Sequence, residues 1–463
     1  MKTLFVYTDI NTMGLGAKTF HFGISMISAV LKQNGHQTDI VCMYDALQLK
    51  RFFKKIKAFK PDILAFTSDT TQFGYIKKIL QKVANLDIFT ILGGAHASLC
   101  PSCLEETTGL DAVCLGEGEY SMLDLVNNFE KKPNKYAVEN IWFKTNNGVI
   151  KNRLRPFIEN LDKLPFADRD IFNFQKIIDS DYGRVPFMLS RGCPYACTYC
   201  ASPSMGKLQE GKYVRFMSIE RAIKELKSIK DRYKFKSIFF ADDIFTLDKN
   251  YVDKFCEQYK KEVDVPFEAN SRIETSSYEI FKTLKDAGCF KIHIGIESGD
   301  EDFRKNKLNR NMSNKQIIDA FYMARKAGLQ TKSYNIVGFP CETPEIHKKT
   351  VRINQEIMPD GHVCYIFQPY PGTKLNDVCK ERGFIQNNVN KKTTISRRET
   401  ILNMPDFIPQ EIIKAHRNFS FEIYRNTSFA KALIYKIYYS QYGEILLRIL
   451  SPIKNTLKKL IMK

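Results

Sequence analysis

The chain has 463 residues, 44% of them hydrophobic and 26% charged. That composition excludes a disordered, collagenous or coiled-coil protein, and at about 150 residues per domain the length suggests roughly three domains. Lys+Arg 70 against Asp+Glu 51 leaves a formal charge of +19, which points to anionic partners (nucleic acid, phosphorylated substrates or a membrane surface) without choosing among them.

Met1 to Asp9 reads as a short strand with no signal-peptide cleavage site, and no uncharged apolar stretch reaches the length of a membrane span. A cytoplasmic protein is expected. Its 12 cysteines are then read for metal or redox chemistry rather than for disulfides.

Residues 1–130 alternate strand and helix. Strands are predicted over 3–8, 38–43, 62–68, 87–92 and 111–115, with helices over 20–34 and 73–84. Short strands that alternate with helices imply a parallel, doubly wound α/β sheet that binds ligands at its strand ends. Residues 131–180 break the pattern with Pro133, Asn147-Gly148, Pro156 and Pro165, and read as a linker with a small hairpin. From 181 to 374 a second alternation runs. Strands are predicted over 186–190, 236–241, 266–270, 291–296, 332–337 and 362–368, with helices over 218–232, 249–261, 276–287, 313–327 and 343–357. Six such units fit a partial (β/α)6 barrel with its site at the strand C-terminal ends. Residues 375–463 read as a helical region, basic near the end.

The strongest chemical signal is Cys193-x3-Cys197-x2-Cys200, directly after a predicted strand. Three thiolates on one loop can hold three irons of a [4Fe-4S] cluster and leave the fourth iron open. A zinc site would need a fourth Cys or His at ligand spacing, and none follows. Three clustered core cysteines are the bland alternative.

This triad at the end of a barrel's first strand resembles the radical SAM enzymes, and other segments extend the resemblance in order. They are Phe240-Ala241-Asp242-Asp243, Asn270-Ser271-Arg272, Gly295-Ile296-Glu297-Ser298-Gly299, Gly338-Phe339-Pro340-Cys341-Glu342-Thr343 and Pro371-Gly372-Thr373. The resemblance implies that the cluster's open iron binds S-adenosylmethionine, with Tyr199, Asp242, Asp243, Arg272, Glu297 and Ser298 near that cofactor. Local readings stand beside these roles. Asp242 and Asp243 could cap the next helix, and Gly338 and Pro340 suit a turn.

Upstream, the chain resembles the cobalamin-binding domain found ahead of many such barrels. The carrying residues are Gly14 and Gly16, Asp69 and Thr70, Gly93-Gly94 with His96, and Gly116-Glu117-Gly118-Glu119. A nicotinamide fingerprint is incomplete because Thr19 stands where its third glycine belongs. No Asp-x-His-x-x-Gly is present, so cobalamin is expected without a protein histidine on cobalt. His96 could contact a ligand or make a local hydrogen bond. Cys100-Pro101-Ser102-Cys103 could be a redox pair or a coincidence.

The resemblance implies a cobalamin-dependent enzyme that cleaves S-adenosylmethionine to a 5′-deoxyadenosyl radical and methylates an unactivated carbon of a small-molecule or lipid substrate. A flavodoxin or ferredoxin would supply the electron. Ring formation, phosphorus methylation and a non-catalytic B12-sensing protein are the alternatives. A tRNA methylthiotransferase lacks support, because Cys42, Cys100 and Cys103 lie inside the doubly wound pattern, so nucleic acid is not the expected partner. Residues 428–463 could form a basic amphipathic helix on an anionic membrane, or pack on the barrel.

Overall fold

The computed structural model describes residues 1–8, 19–44, 48–129, 136–386 and 398–440. The N-terminal part runs β1 (Lys2–Thr8), α1 (Phe22–Gln33), β2 (Gln37–Met43), α2 (Leu49–Phe59), β3 (Ile63–Thr67), α3 (Phe73–Val83), β4 (Phe89–Gly93), α4 (Ala95–Leu99), α5 (Cys103–Glu106), β5 (Ala112–Cys114), α6 (Glu119–Asn128), β6 (Ile141–Thr145) and β7 (Gly148–Lys151). Among the described residues its sheet has the order β2-β1-β3-β4-β5-β6-β7. The pairs from β2 through β5 are parallel. A parallel sheet is covered on both faces, and β3 accordingly buries Ile63, Leu64, Ala65 and Phe66 in succession. The Asn147-Gly148 turn closes β6 on β7, and the hairpin pairs antiparallel onto β5.

The stretch read as a linker is packed between the two sheets. Phe157, Ile158, Leu161, Leu164, Phe172 and Phe174 are buried there. Its helix is α7 (Phe174–Ser180). Arg169 lies among the rings of Phe20, Phe174 and Phe187 at 5.7, 5.6 and 5.8 Å. It pairs with Glu225 at 2.6 Å, with both side chains 5% exposed. One continuous core therefore joins the N-terminal sheet, this stretch and the second sheet.

The second sheet is built from β8 (Arg184–Phe187), β9 (Ser190–Arg191), α8 (Ser202–Met205), β10 (Arg215–Phe216), α9 (Ile219–Arg232), β11 (Ser237–Phe240), α10 (Lys249–Glu262), β12 (Phe267–Ser271), α11 (Tyr278–Asp286), β13 (Cys289–Glu297), α12 (Glu301–Asn306), α13 (Asn314–Lys326), β14 (Gln330–Val337), α14 (Pro344–Ile357) and β15 (Gly361–Ile366). Six of its strands form one parallel sheet in strict sequence order from β8 and β11 to β15. Helix starts follow local capping chemistry. Ser218, Asp248, Ser277 and Thr343 each accept a first-turn N–H, and Ser313 with Gln316 closes a capping box. Ile238, Phe240, Ala269, Ile292 and Ile294 turn to the helices and are buried, whereas Phe239, Asn270, Gly295, Lys332, Tyr334 and Val363 on the opposite face remain half-buried.

Beyond the barrel lie α15 (Lys374–Glu381), α16 (Pro409–Tyr424) and α17 (Phe429–Tyr438). Helix α16 packs on α14, β15 and α17. The described part of the proposed membrane helix buries Ala432 and Tyr435 and exposes Phe429, Leu433 and Ile437; the rest of that segment, from residue 441, lies outside the described residues.

Candidate active site

The cysteine loop hangs from β9, which pairs antiparallel with β10. Gly192 opens the loop at φ +87°, and a Cβ there would sit 2.5 Å from the Tyr213 carbonyl oxygen, so only glycine fits. Each sulfur accepts an N–H. Cys193 takes one from the Tyr195 backbone, Cys197 takes one from Arg272 Nη1 at 3.2 Å, and Cys200 takes one from Ser202 N at 3.4 Å. Such donors stabilise cluster-bound thiolate sulfur. Burial pushes Cys193 up and Cys200 to about 11, so coordination to iron is what would hold them deprotonated. Among the described residues no three His, Cys, Asp or Glu side chains converge on a single metal ion. A cluster asks for less convergence, since each iron takes one thiolate.

Arg272 and Arg310 flank this loop. The Arg272 guanidinium lies 3.8 Å over the Tyr195 ring and donates to Glu274 at 2.8 Å. Arg310 donates to the Tyr199 hydroxyl at 3.1 Å and to the Gly295 carbonyl at 2.6 Å, and stands 3.7 Å from Glu297. Glu297 is held at φ +69°, where the β13–β14 register shifts. A glutamate in the left-handed region is strained, and such strain collects at ligand sites. Burial raises its carboxyl pKa against the pull of Arg310 and Arg272. Arg272 Nε and Arg310 Nε are buried without partners. Two arginines beside one carboxyl suit the carboxylate and ammonium of an amino-acid moiety. Asp243 is exposed beside the loop, and partial desolvation raises its pKa.

Asp242, expected near S-adenosylmethionine, is engaged within the chain. Its carboxylate is buried, accepting from Leu189 N at 3.0 Å and from Ser190 Oγ at 2.5 Å. It pins β11 to the root of the cysteine loop. Ser298 is likewise turned inward, its Oγ accepting from Asp300 N at 3.4 Å.

On the N-terminal side a cavity of about 290 Å³ opens between the strand ends, α1, α6 and the barrel. Phe5, Ala65, Ile91, Ile24, Ile27 and Met122 line its apolar part, with His21, Gly94 and Arg191 among its polar wall. Gly94 has φ +89°, and a Cβ there would meet Thr67 Oγ1 at 2.7 Å. His21 caps α1, its Nδ1 accepting from Ile24 N at 3.2 Å; burial lowers its pKa to about 4, so it is neutral. Asp69 closes its own turn, accepting from Thr71 N at 2.8 Å and Gln72 N at 3.1 Å. His96 stacks on Phe73 at 4.0 Å, and its Nδ1 lies 3.2 Å from Thr70 Oγ1. Burial lowers His96 to about 4, and its Nε2 is buried without a partner. Gly93 ends β4 beside the cavity. Gly14 and Gly16 lie outside the described residues. Cys100 and Cys103 are free thiols, and burial pushes Cys103 up to about 12, which leaves it unreactive.

The Gly116-Glu117-Gly118-Glu119 turn reaches the cysteine loop. Arg191, two residues before Cys193, donates to Glu117 at 2.7 Å and to Glu119 at 2.6 Å. Arg215 donates twice to Glu117 at 2.9 Å. These two carboxylates, expected at a cofactor, line the cavity and also tie the sheets together. Arg191, Arg215, Arg310 and His21 carry roles that no motif signals. Each is a single polar residue given its partner by tertiary packing.

Residues 187–352 match the Radical SAM superfamily, and residues 11–126 match the B12 binding domain. An uncharacterized methyltransferase of Pyrococcus horikoshii is 30% identical, with 85% of each chain covered. The anaerobic magnesium-protoporphyrin IX monomethyl ester cyclase of Rubrivivax gelatinosus is 24% identical over 83% of this chain and 70% of its own. The radical S-adenosylmethionine methyltransferase TsrM from Kitasatospora setae, solved with cobalamin and a [4Fe-4S] cluster, shares the fold at TM-score 0.66 and 14% identity, covering 83% of this chain and 79% of that one. The chain belongs to the radical SAM superfamily, as a cobalamin-dependent member whose B12-binding domain precedes the barrel.

Proposed function

We propose that this enzyme methylates an unactivated carbon of a small-molecule substrate. The observation that carries the reading is the shared wall between the two cofactor sites: Arg191 lines the N-terminal cavity and stands two residues from Cys193. When bound, S-adenosylmethionine at the cluster supplies a 5′-deoxyadenosyl radical, and cobalamin supplies the methyl group. The protein's part is to hold and to shield. Cys193, Cys197 and Cys200 hold the cluster. Arg272, Arg310 and Glu297 orient the amino-acid end of S-adenosylmethionine. The apolar cavity takes the nucleotide tail of cobalamin, with neutral His21 as a hydrogen-bonding group on its wall. No general base is required for hydrogen-atom abstraction. A flavodoxin or ferredoxin is the reductant in this reading.

The test is anaerobic purification from cells supplied with cobalamin, with corrinoid and iron measured together. About one corrinoid and about four irons per chain are expected. Iron without corrinoid overturns the methyl-transfer reading. A second reading, ring closure, draws support from the cyclase relative; a deuterated methyl group on S-adenosylmethionine would then fail to reach the product. A lipid substrate is a narrower variant. It would use the exposed Phe429, Leu433 and Ile437 face of α17 as a membrane contact, read by binding to anionic vesicles. Among the described residues no helix is long and apolar enough to cross a membrane.

A further inference from the structure

The barrel face turned away from the helices carries a polar row distinct from the residues assigned above to the cofactors. Register aligns Asn270 on β12, His293 on β13, Lys332 on β14 and Gly361 on β15. Asn270 stands two residues before Arg272, so the row lies about 7 Å along the strand from the residue that bonds Cys197.

Bonding within the row leaves specific groups unspent. Glu268, one layer below, has both oxygens occupied: Oε1 accepts from Arg184 at 2.7 Å, and Oε2 is 2.8 Å from His293 Nε2. Burial works against its ionisation, yet His293 and Arg184 hold its pKa down to about 2. Burial also lowers His293 to about 4. The neutral ring gives its Nε2–H to Glu268, which leaves Nδ1 to accept from the Tyr334 hydroxyl at 2.8 Å. Asn270 Nδ2 donates to the Asp242 carbonyl at 2.9 Å, which fixes the amide and leaves Oδ1 buried without a partner. Lys332 has no carboxylate within ion-pair distance among the described residues, and its ammonium stands 5.4 Å from the Tyr334 ring. Gly361 keeps the space beside Lys332 free of a side chain, since a Cβ there would come only to 3.7 Å from Lys332 Cγ. Arg184 and Lys291 add positive charge nearby, against the carboxylates of Glu268 and Asp181, both of which pair with Arg184.

We infer that this row is a substrate subsite for an anionic group, a carboxylate or a phosphate, with Lys332 as its ion-pair partner and Asn270 Oδ1 accepting an N–H or O–H from the same molecule. The inference deepens the small-molecule reading and rests on it. Lys332 sets which substrate enters. The cysteines and Arg272 set what chemistry it meets. Burial lowers Lys332 to about 8, so the lysine is mostly charged at neutral pH.

The test uses reconstituted holoenzyme and three probes: phenyl phosphate, 3-phenylpropionate and benzyl alcohol. Lysines are modified with an amine-selective reagent, and each site is read by peptide mass spectrometry. One of the two anions is expected to slow modification of Lys332 while exposed Lys224 is unaffected, and benzyl alcohol is expected to protect neither. Which anion protects separates phosphate from carboxylate. Binding of that anion should fall about tenfold or more in Lys332→Gln and persist in Lys332→Arg, because only the first variant loses the charged hydrogen-bond donor. No protection by either anion, or undiminished binding by Lys332→Gln, overturns the subsite. Formation of 5′-deoxyadenosine by the wild type reads the parent assignment separately, so its failure is distinguishable from failure of the subsite.

Discussion

Glu342 shows what one buried side chain can impose. Its Oε2 accepts from Gly338 N at 2.6 Å and from Phe339 N at 3.1 Å, while Oε1 has no partner. Burial raises its pKa to about 8. The folded chain therefore keeps a proton that the unfolded chain releases near about pH 4.3. Between those values the native state binds more protons at this site, so the Glu342 contribution to stability falls as pH rises from about 4 toward about 8. The melting temperature of the wild type relative to that of Glu342→Gln should therefore decline across that window, while groups common to both proteins, such as the buried histidines, cancel in the difference. The motif containing Glu342 was readable in sequence, as were Cys193, Cys197, Cys200 and Glu297, because their chemistry repeats at fixed spacing. The hydrogen bonds of Asp242 were not legible, because strand position alone does not show where a carboxylate turns. Its partners, Leu189 and Ser190, arrive only when β8 pairs with β11.

At the scale of elements, hydrophobic period located the six parallel strands and the five long helices of the barrel within a few residues, but not the short α8, β10 and α12. Helix α2 escaped assignment. It buries only Phe52 and Ile56, and five of its remaining residues are Lys or Arg. The most consequential contact between elements is the one from β9 to the turn before α6. Arg191 leaves Glu119 4% and Glu117 13% exposed at the side chain. Arg191→Met would strand the buried Glu119 carboxylate, whereas Glu117 keeps Arg215, and breaking such a buried pair costs about 3–5 kcal/mol. Corrinoid and iron content should fall together in that variant, alongside a lower melting temperature. Arg153→Met, at a side chain 85% exposed, should change neither. Independent loss of one cofactor would show that the two sites are not joined through Arg191.

For the whole molecule, the two sheets share one hydrophobic core, and the cavity lies between them. A ligand that fills it touches both halves. Corrinoid binding should therefore raise the melting temperature of the whole chain rather than of one transition. At 100 times the dissociation constant the gain is about 2.7 kcal/mol. Calorimetry with and without cobalamin checks this. A shift confined to one of two resolved transitions would mean that the halves melt separately. The doubly wound parallel sheet and the partial barrel were legible from alternation of strand and helix, although the place of β1 between β2 and β3 was not. The hairpin of β6 and β7 was legible too, but the packed stretch 152–180 was not. Its buried residues are spaced irregularly and make sense only against two surfaces that the chain builds elsewhere.

That local strand order also sets a timetable during synthesis. The seven-stranded sheet is complete once Lys151 has left the ribosome, well before Cys193 emerges. Nascent chains fold domain by domain from the N-terminus. Glu117 and Glu119 would thus be waiting on a finished sheet when Arg191 arrives, and the cysteine loop would take shape against a scaffold already in place. Iron delivery needs Cys200, so it can come only after every strand of the N-terminal sheet has left the ribosome.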